Sequence, residues 1–464
     1  MIAGLKPYPA YKDSGVEWLG EVPEGWEVRR QSSLMDLWIS TVDKHQVDSE
    51  RPIRLCNYVD VYRNDRIRSG MYFPRGTALD EEVKRFRLRT EDVLITKDSE
   101  SWDDIASPAL VEDGADDLVC GYHLAMLRAR RGLSGAYLFW ASQSLPVAYQ
   151  YHVSANGVTR FGLTQGAIKR VEIPVPPSMD QAAIVRFLGY VDSRIQWFIA
   201  AKERLIELLE NEKRAIVLRA ITQGIDSSVP LKPSSVEWLG DLPVHWEVRR
   251  AKWCFREIDE RSVGGDEELL SVSHLTGVTP RAEKQVTMFQ AESYIGHKIC
   301  RAGDLVVNTM WAWMGALGVS PKTGLVSPSY AVYRPRQSSV DSRYVEHLLT
   351  TSTYVAEFNR CSTGIQASRL RLYPEDFLRI PILCPPLDEQ RAIVNAIDTA
   401  ISRRELIGAA VRDQVHRLRE YRMRLISDVV TGKLDVRAAV ATLPEDPDAD
   451  DPALDERLEE VAAG

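Results

Sequence analysis

The sequence predicts an α+β protein: two tandem modules of mixed helix and strand, each followed by a long helix. The two helices are expected to pack as an antiparallel, pseudo-twofold coiled coil. Two observations predict this. The stretch Pro176-Pro177-Ser178-Met179-Asp180-Gln181-Ala182-Ala183-Ile184-Val185 returns as Pro385-Pro386-Leu387-Asp388-Glu389-Gln390-Arg391-Ala392-Ile393-Val394. The block Val16-Glu17-Trp18-Leu19-Gly20, with Trp26-Glu27-Val28-Arg29-Arg30, returns as Val236-Glu237-Trp238-Leu239-Gly240 with Trp246-Glu247-Val248-Arg249-Arg250. A repeat separation of about 209 residues is too long for a solenoid and marks duplication of a whole module.

Each helix is announced by a proline pair, carries acid in its first turn and ends before a glycine, in Thr222-Gln223-Gly224-Ile225-Asp226 and Thr431-Gly432-Lys433-Leu434-Asp435. In the first copy Ile184, Leu188, Val191, Ile195, Phe198, Lys202, Leu205, Leu209, Glu212 and Ile216 step by four and three, the spacing of a coiled-coil seam. The second seam runs Ile393, Ile397, Ala400, Arg404, Ile407, Val411, Gln414, Leu418, Tyr421 and Leu425. About 40 helical residues span roughly 60 Å and cannot bury such a seam alone. Its polar interruptions set the alignment: one antiparallel register puts Glu212 against Arg404 and Lys202 against Gln414.

The expected boundaries are 1–177 for the first globular module, 178–226 for its helix, 227–386 for the second module, 387–436 for its helix, and 437–464 for a tail. Inside the modules the order of elements persists while the residues diverge. Asp92-Val93-Leu94-Ile95-Thr96-Lys97 matches Asp304-Leu305-Val306-Val307-Asn308-Thr309, both suited to buried strands, and the strand-like Tyr122–Arg128 matches Tyr330–Arg334. Helical stretches at Tyr137–Tyr151 and Tyr344–Phe358 precede glycine turns, Asn156-Gly157-Val158-Thr159-Arg160 and Thr363-Gly364-Ile365-Gln366-Ala367-Ser368-Arg369. From Arg30 to Asp92 is 62 positions, but from Arg250 to Asp304 only 54. A shared scaffold with unlike loops suits one task performed on two targets.

Composition is that of a globular protein, 44% hydrophobic and 27% charged. No apolar run reaches the length of a membrane span and no signal peptide precedes Lys6, so the expected location is the cytoplasm. Cys56, Cys120, Cys254, Cys300, Cys361 and Cys384 are scattered and read as buried free thiols. The net charge of −8 matches the net of the tail, where nine acids and Arg457 lie between Glu445 and Glu460. That tail reads as a solvated, disordered end, and the remainder is formally neutral.

Catalytic signatures are scarce. There is no phosphate-cradling Gly-rich loop, no His-Glu-x-x-His, and the eight histidines lack ligand spacing; His123 alternates with apolar residues as a half-buried, satisfied side chain. Asp65 with Glu82-Val83-Lys84 has the spacing of a metal nuclease, but such spacing is common on a solvated face. Arg63, Arg66, Arg68, Arg75, Lys84, Arg85, Arg87 and Arg89 cluster in the first module, with Tyr62 and Tyr72 among them. A basic run by itself marks only a solvent-facing surface. Trp311 and Trp313, after a buried strand, suit either core or a groove-facing loop.

Taken together, the duplicated Pro-Pro-x-x-Asp/Glu-Gln-x-x-Ile-Val helix starts, the Thr-Gly-Lys-Leu-Asp end and the Val-Glu-Trp-Leu-Gly blocks resemble the specificity subunits of type I restriction–modification systems. The resemblance covers nearly the whole chain except the acidic tail. The first copy departs slightly, with Met179-Asp180-Gln181 where Asp388-Glu389-Gln390 is the fuller form. The resemblance implies two target-recognition domains, each reading half of a split, asymmetric sequence in double-stranded DNA. It also implies helices that set the spacing and bind two modification (methyltransferase) subunits, with restriction subunits joining the complex. S-adenosylmethionine, ATP and Mg would belong to those partners, and this chain would hold no cofactor and catalyse nothing itself. The residues it points to are Lys97, Thr159 and Arg160 in the first head, and Asn308, Gln366, Ser368 and Arg369 in the second. The competing readings are a self-sufficient Mg-dependent nuclease and a coiled-coil scaffold without DNA affinity.

Overall fold

A computed structural model describes residues 5–284, 293–336, 340–365, 370–444 and 452–463. The chain divides into two compact units, residues 1–204 with 411–464, and residues 205–410. The division cuts both long helices, Ser178–Gln223 and Leu387–Val430.

In the first unit a five-stranded sheet runs in the order Met35–Ile39, Leu124–Ala129, Asp92–Thr96, Pro108–Val111, Arg66–Ile67, antiparallel except for the last pair. Asp92–Thr96 is buried throughout, which explains its unbroken apolar run. Side chains on a strand alternate in direction, so Val93 and Ile95 join the main core with Tyr137 and Trp140. Leu94 joins a second core with Leu55, Phe86 and Val119. The second unit repeats the pattern with four antiparallel strands, Phe255–Ile258, Ala331–Pro335, Leu305–Val307 and Leu317–Val319. Leu305 and Val307 face one core and Val306 the other.

One ion pair recurs in both sheets. Arg128 grips the buried Asp92 with Nε and Nη2, each at 2.6 Å. Arg334 grips the buried Asp304 in the same two-pronged way, at 2.8 and 2.7 Å. Each aspartate also accepts a backbone N–H three residues upstream, from Arg89 and Arg301.

The duplicated motifs of the sequence meet in space. Strand Glu27–Arg30 pairs with Glu172–Val175, and Glu247–Arg250 with Pro381–Cys384. The glutamine repeated at each helix start is buried and ties backbone together. Gln181 accepts from the Ser134 N–H at 2.9 Å and donates to the carbonyls of Gly132 and Pro176. Gln390 accepts from the Asp341 N–H at 2.7 Å and donates to Pro385 O. The preceding acid receives the indole N–H of the repeated tryptophan, Trp246 to Glu389 at 3.0 Å and Trp26 to Asp180 at 3.4 Å.

Both units contain the start of one long helix and the end of the other. In the first, Lys202 Nζ donates to Gln414 Oε1 at 2.8 Å, and Arg422 binds Asp192. Numbers rise along one helix as they fall along the other, so the two run antiparallel. In the second unit Arg404 Nη2 donates to Glu212 at 2.5 Å. These are the two polar pairs of the antiparallel register.

Two expectations need correction. The stretches Tyr137–Tyr151 and Tyr344–Phe358 are each two helices, Gly135–Gln143 with Leu145–His152, and Ser342–Leu349 with Ser352–Cys361. Pro146 lacks an N–H and forces the first break. The tail is not a disordered end throughout: Pro452–Ala463 is a helix, with Leu454, Leu458 and Ala462 buried in the first unit's core. Three apolar residues four apart give that helix a face to bury despite its acidity. All six cysteines are free, with Cys361 half-buried and the others buried. No helix among the described residues is long and apolar enough to cross a membrane.

Candidate nucleic-acid interface

In the first module the central strand delivers Lys97 at its end, and a two-residue ladder fixes what lies beside it. Phe161–Gly162 pairs with Asp98–Ser99, and Leu163 N–H donates to Lys97 O at 2.9 Å. The glycine turn is then closed by paired bonds between Asn156 and Gly162, at 3.1 and 2.9 Å. A Cβ on Gly157 would lie 1.9 Å from the Arg160 carbonyl oxygen, so only glycine fits there.

The closed turn presents Val158, Thr159 and Arg160 to solvent. Lys97 is less available, since its Nζ donates to Asp98 Oδ2 at 2.9 Å. His123 Nδ1 lies 2.9 Å from the same oxygen. That carboxylate places the imidazole proton on Nδ1, so Arg160, 3.2 Å from this nitrogen, meets a donor and not an acceptor. Burial pushes the Asp98 carboxyl up, but hydrogen bonds from His123 and Lys97 outweigh it and hold its pKa below the ordinary value. Thr159 and Arg160 flank a pocket of about 500 Å³ whose other walls include Asp98, Glu100, Asp104 and the stacked rings of Tyr58 and Tyr62. Hydroxyl, carboxylate and guanidinium groups here match the donors and acceptors of base edges.

The second module shows the same closure: Thr363 and Arg371 exchange backbone hydrogen bonds, each at 2.9 Å. Gln366, Ser368 and Arg369 lie outside the described residues. Asn308 is buried, its amide nitrogen 3.2 Å from the Tyr330 hydroxyl and its Oδ1 without a partner among the described residues. The strand continues past Val307, because Asn308 N–H still donates to Ala316 O, and this holds the side chain inside. The tryptophans divide: Trp311 is half exposed, while Trp313 is partly covered and donates to Met310 O.

Part of the basic cluster of the first module is paired internally. Arg66 and Arg68 share Glu112, Arg87 pairs with Asp116, and Arg66 also lies 4.1 Å over the Phe139 ring. The acids of the nuclease reading are engaged elsewhere. Asp65 binds Arg422, and Glu82 caps the helix Asp80–Phe86. No group of three metal-ligating side chains occurs among the described residues.

Sequence reasoning passed over the two residues that follow the turn glycines. Val158 is 93% exposed and Ile365 fully so. Both are β-branched and apolar, at the same place in two otherwise unlike loops, and that coincidence was the available signal.

The geometry defines a class: a duplicated protein with two structurally matched heads, unlike in their loop sequences, and two long helices. No family model matches the chain. It is 22% identical over 445 residues to the putative type I restriction enzyme MjaX specificity subunit of Methanocaldococcus jannaschii, covering 90% of this chain and 96% of that one. It is 19% identical over 438 residues to the type I restriction enzyme MjaVIII specificity subunit of the same organism, covering 90% and 94%. A chain from a structural study of complex assembly and conformational transition in the type I R-M system aligns with TM-score 0.59 at 17% identity, covering 89% of this chain and 99% of that one. The HsdS subunit from Thermoanaerobacter tengcongensis aligns at 0.46 and 19% identity, covering 89% and 98%. Over nine-tenths of its length the chain is thus similar to proteins named as type I restriction enzyme specificity subunits.

Proposed function

We propose that this chain is the DNA sequence-recognition subunit of a type I restriction–modification complex in the cytoplasm. Each globular module reads one half of a split, asymmetric target; the paired helices set the spacing and dock the modification subunits. One observation carries this reading. The two modules keep the same run of four antiparallel strands, the same Asp–Arg clamp and the same turn closure, yet differ in the residues of the loops between them. Named relatives matching nine-tenths of the chain support it.

The chain's own part is non-catalytic: it binds, orients and measures. A duplex turn is about 34 Å, so a helix of fixed length that spaces two readers makes the gap between half-sites part of the specificity. Methyl donor, nucleotide and Mg sites fall to the partner subunits.

The test is methylation of a randomised DNA library by the chain assembled with its modification subunits. The expected product is a bipartite, asymmetric motif. Thr159→Ala or Arg160→Ala should alter one half only. Losing a base contact costs about 1–3 kcal/mol and blurs one position, whereas losing a phosphate contact weakens all sequences and flattens the salt dependence. Methylation without a motif, or a motif unmoved by exchange of the first module, would refute the reading.

A further inference from the structure

The tail helix Pro452–Ala463 breaks the internal symmetry of the molecule. It covers one face of the first long helix, where Leu454, Leu458 and Ala462 share an apolar cluster with Tyr190 and Phe198. Arg194 Nε donates to Asp455 Oδ1 at 3.0 Å across the same contact. Arg194 is 9% exposed and Phe198 7%. The repeat carries Tyr190, Arg194 and Phe198 onto Thr399, Arg403 and Ile407 of the second long helix. There the face is bare: Thr399 and Arg403 are exposed, and Ile407 is 42% exposed against 7% for Phe198. Thr399, Arg403 and Ile407 are spaced four apart and so share one side of the helix. Of two equivalent faces, one carries a helix and, among the described residues, the other carries none.

We propose that both faces are seats for an acidic amphipathic helix, and that the chain fills the first with its own tail. The open seat on the second helix then takes the acidic helix of a modification subunit. This rests on the reading that the long helices dock those subunits. The tail shows what fits: an apolar ridge with residues four apart, and a carboxylate placed against the seat's arginine. Arg403 offers the open seat the same charge complement. Because the tail is tethered, it competes at high effective concentration, and a second modification subunit must displace it. Loading is therefore stepwise: one partner enters freely, and the other enters only as the tail leaves.

The probe is a fluorescent peptide of residues 445–464, titrated by anisotropy into the full chain. The wild type should bind one equivalent, and Arg403→Glu should abolish that binding. Leu454→Asp with Leu458→Asp, which unseats the tail without altering either long helix, should raise the count to two. Should the double substitution unfold the chain, Asp455→Arg serves instead, with Arg194→Asp added to restore the closed seat. Modification subunit should displace the peptide, its second copy binding at least about tenfold more weakly than its first to the wild type, with that gap closing in the unseated variant. Equal peptide counts in wild type and unseated variant, or indifference to Arg403→Glu, overturn the proposal. Peptide binding as expected with no binding of modification subunit overturns the docking reading beneath it and leaves the paired seats standing.

Discussion

Replacing Gln181 by leucine tests why the chain writes the same helix start twice. The side chain is 3% exposed and makes three hydrogen bonds to backbone: one accepted from Ser134 N–H, two donated to Gly132 O and Pro176 O. Leucine keeps the volume and removes all three. An orphaned buried polar group costs about 1–3 kcal/mol. Gly132 lies at the surface, where water replaces the lost donor; the Pro176 oxygen is buried and Ser134 half-buried. The expected loss is therefore about 2–3 kcal/mol, at the level of two orphans and not three. Glutamate in the same place retains the acceptor for Ser134 but turns a second oxygen toward two carbonyls, so it should be no better than leucine. Because a chain of two units need not unfold in one step, the assay is amide hydrogen exchange. Protection of Tyr137–Trp140 should fall in Gln181→Leu while Val345–Leu348 holds, and Gln390→Leu should do the reverse. Protection unchanged within about 0.5 kcal/mol in either variant would refute the clamp as the reason for the motif.

Arg128→Met strands the Asp92 carboxylate inside the sheet and should destabilise the first unit by about 3 kcal/mol, the low end for a broken buried pair because Arg89 N–H remains. Adding Asp92→Asn should recover part of that loss, as measured by urea unfolding followed through Trp38, which lies 5.0 Å from the Arg128 guanidinium. Gly432→Ala meets two obstacles, a φ of +75° and a Cβ 2.4 Å from the Pro23 ring; Gly224→Ala, at φ +77°, finds its nearest neighbour at 3.3 Å. The first should therefore lower the thermal midpoint clearly more than the second. Burial pushes the His347 pKa below its ordinary 6.5, opposed in part by Asp398. The unfolded chain thus takes up that proton first, and stability should drop as pH falls below about 6.5 and level off below the folded-state pKa. The difference between wild type and His347→Gln in urea midpoint, from pH 7.5 to 5.5, isolates this contribution.

The long helices were legible because periodicity and interruption together overdetermine them. An apolar seam fixes which face is buried in each unit, although Leu205 and Ile407 near its middle stay exposed, and two polar pairs fix the register. Asp92 and Asp304 stood at matched positions in the sequence, as did Arg128 and Arg334, but only the strand register reveals that each pair is one clamp. Asn308 was misleading for a local reason. An asparagine after an apolar run usually opens a loop, and nothing in its neighbours announces that the strand's hydrogen bonding continues through it. The tail was misjudged because net charge dominated the reading. Leu454, Leu458 and Ala462, each four apart, carried the opposite signal in plain view. Sheet order was beyond reach, since Pro108–Val111 and Arg66–Ile67 pair across more than 40 residues that show no matching pattern.

The module written in the sequence is not the unit formed in space. Along the chain a head is followed by its own helix, yet the first unit's core takes Val415, Leu418, Ile426 and Val430 from the helix of the other copy. The second unit likewise takes Ala220 and Ile221 from the first helix. Lys6 pairs with Asp435, and Tyr11 donates to the Gly432 carbonyl, so the first head is closed by the far end of the chain. A cut after residue 226 therefore strips apolar packing from both units, although it falls on the boundary of the repeat. Duplication explains the sequence period, but what keeps both copies in one chain is that each core borrows a helix end from the other.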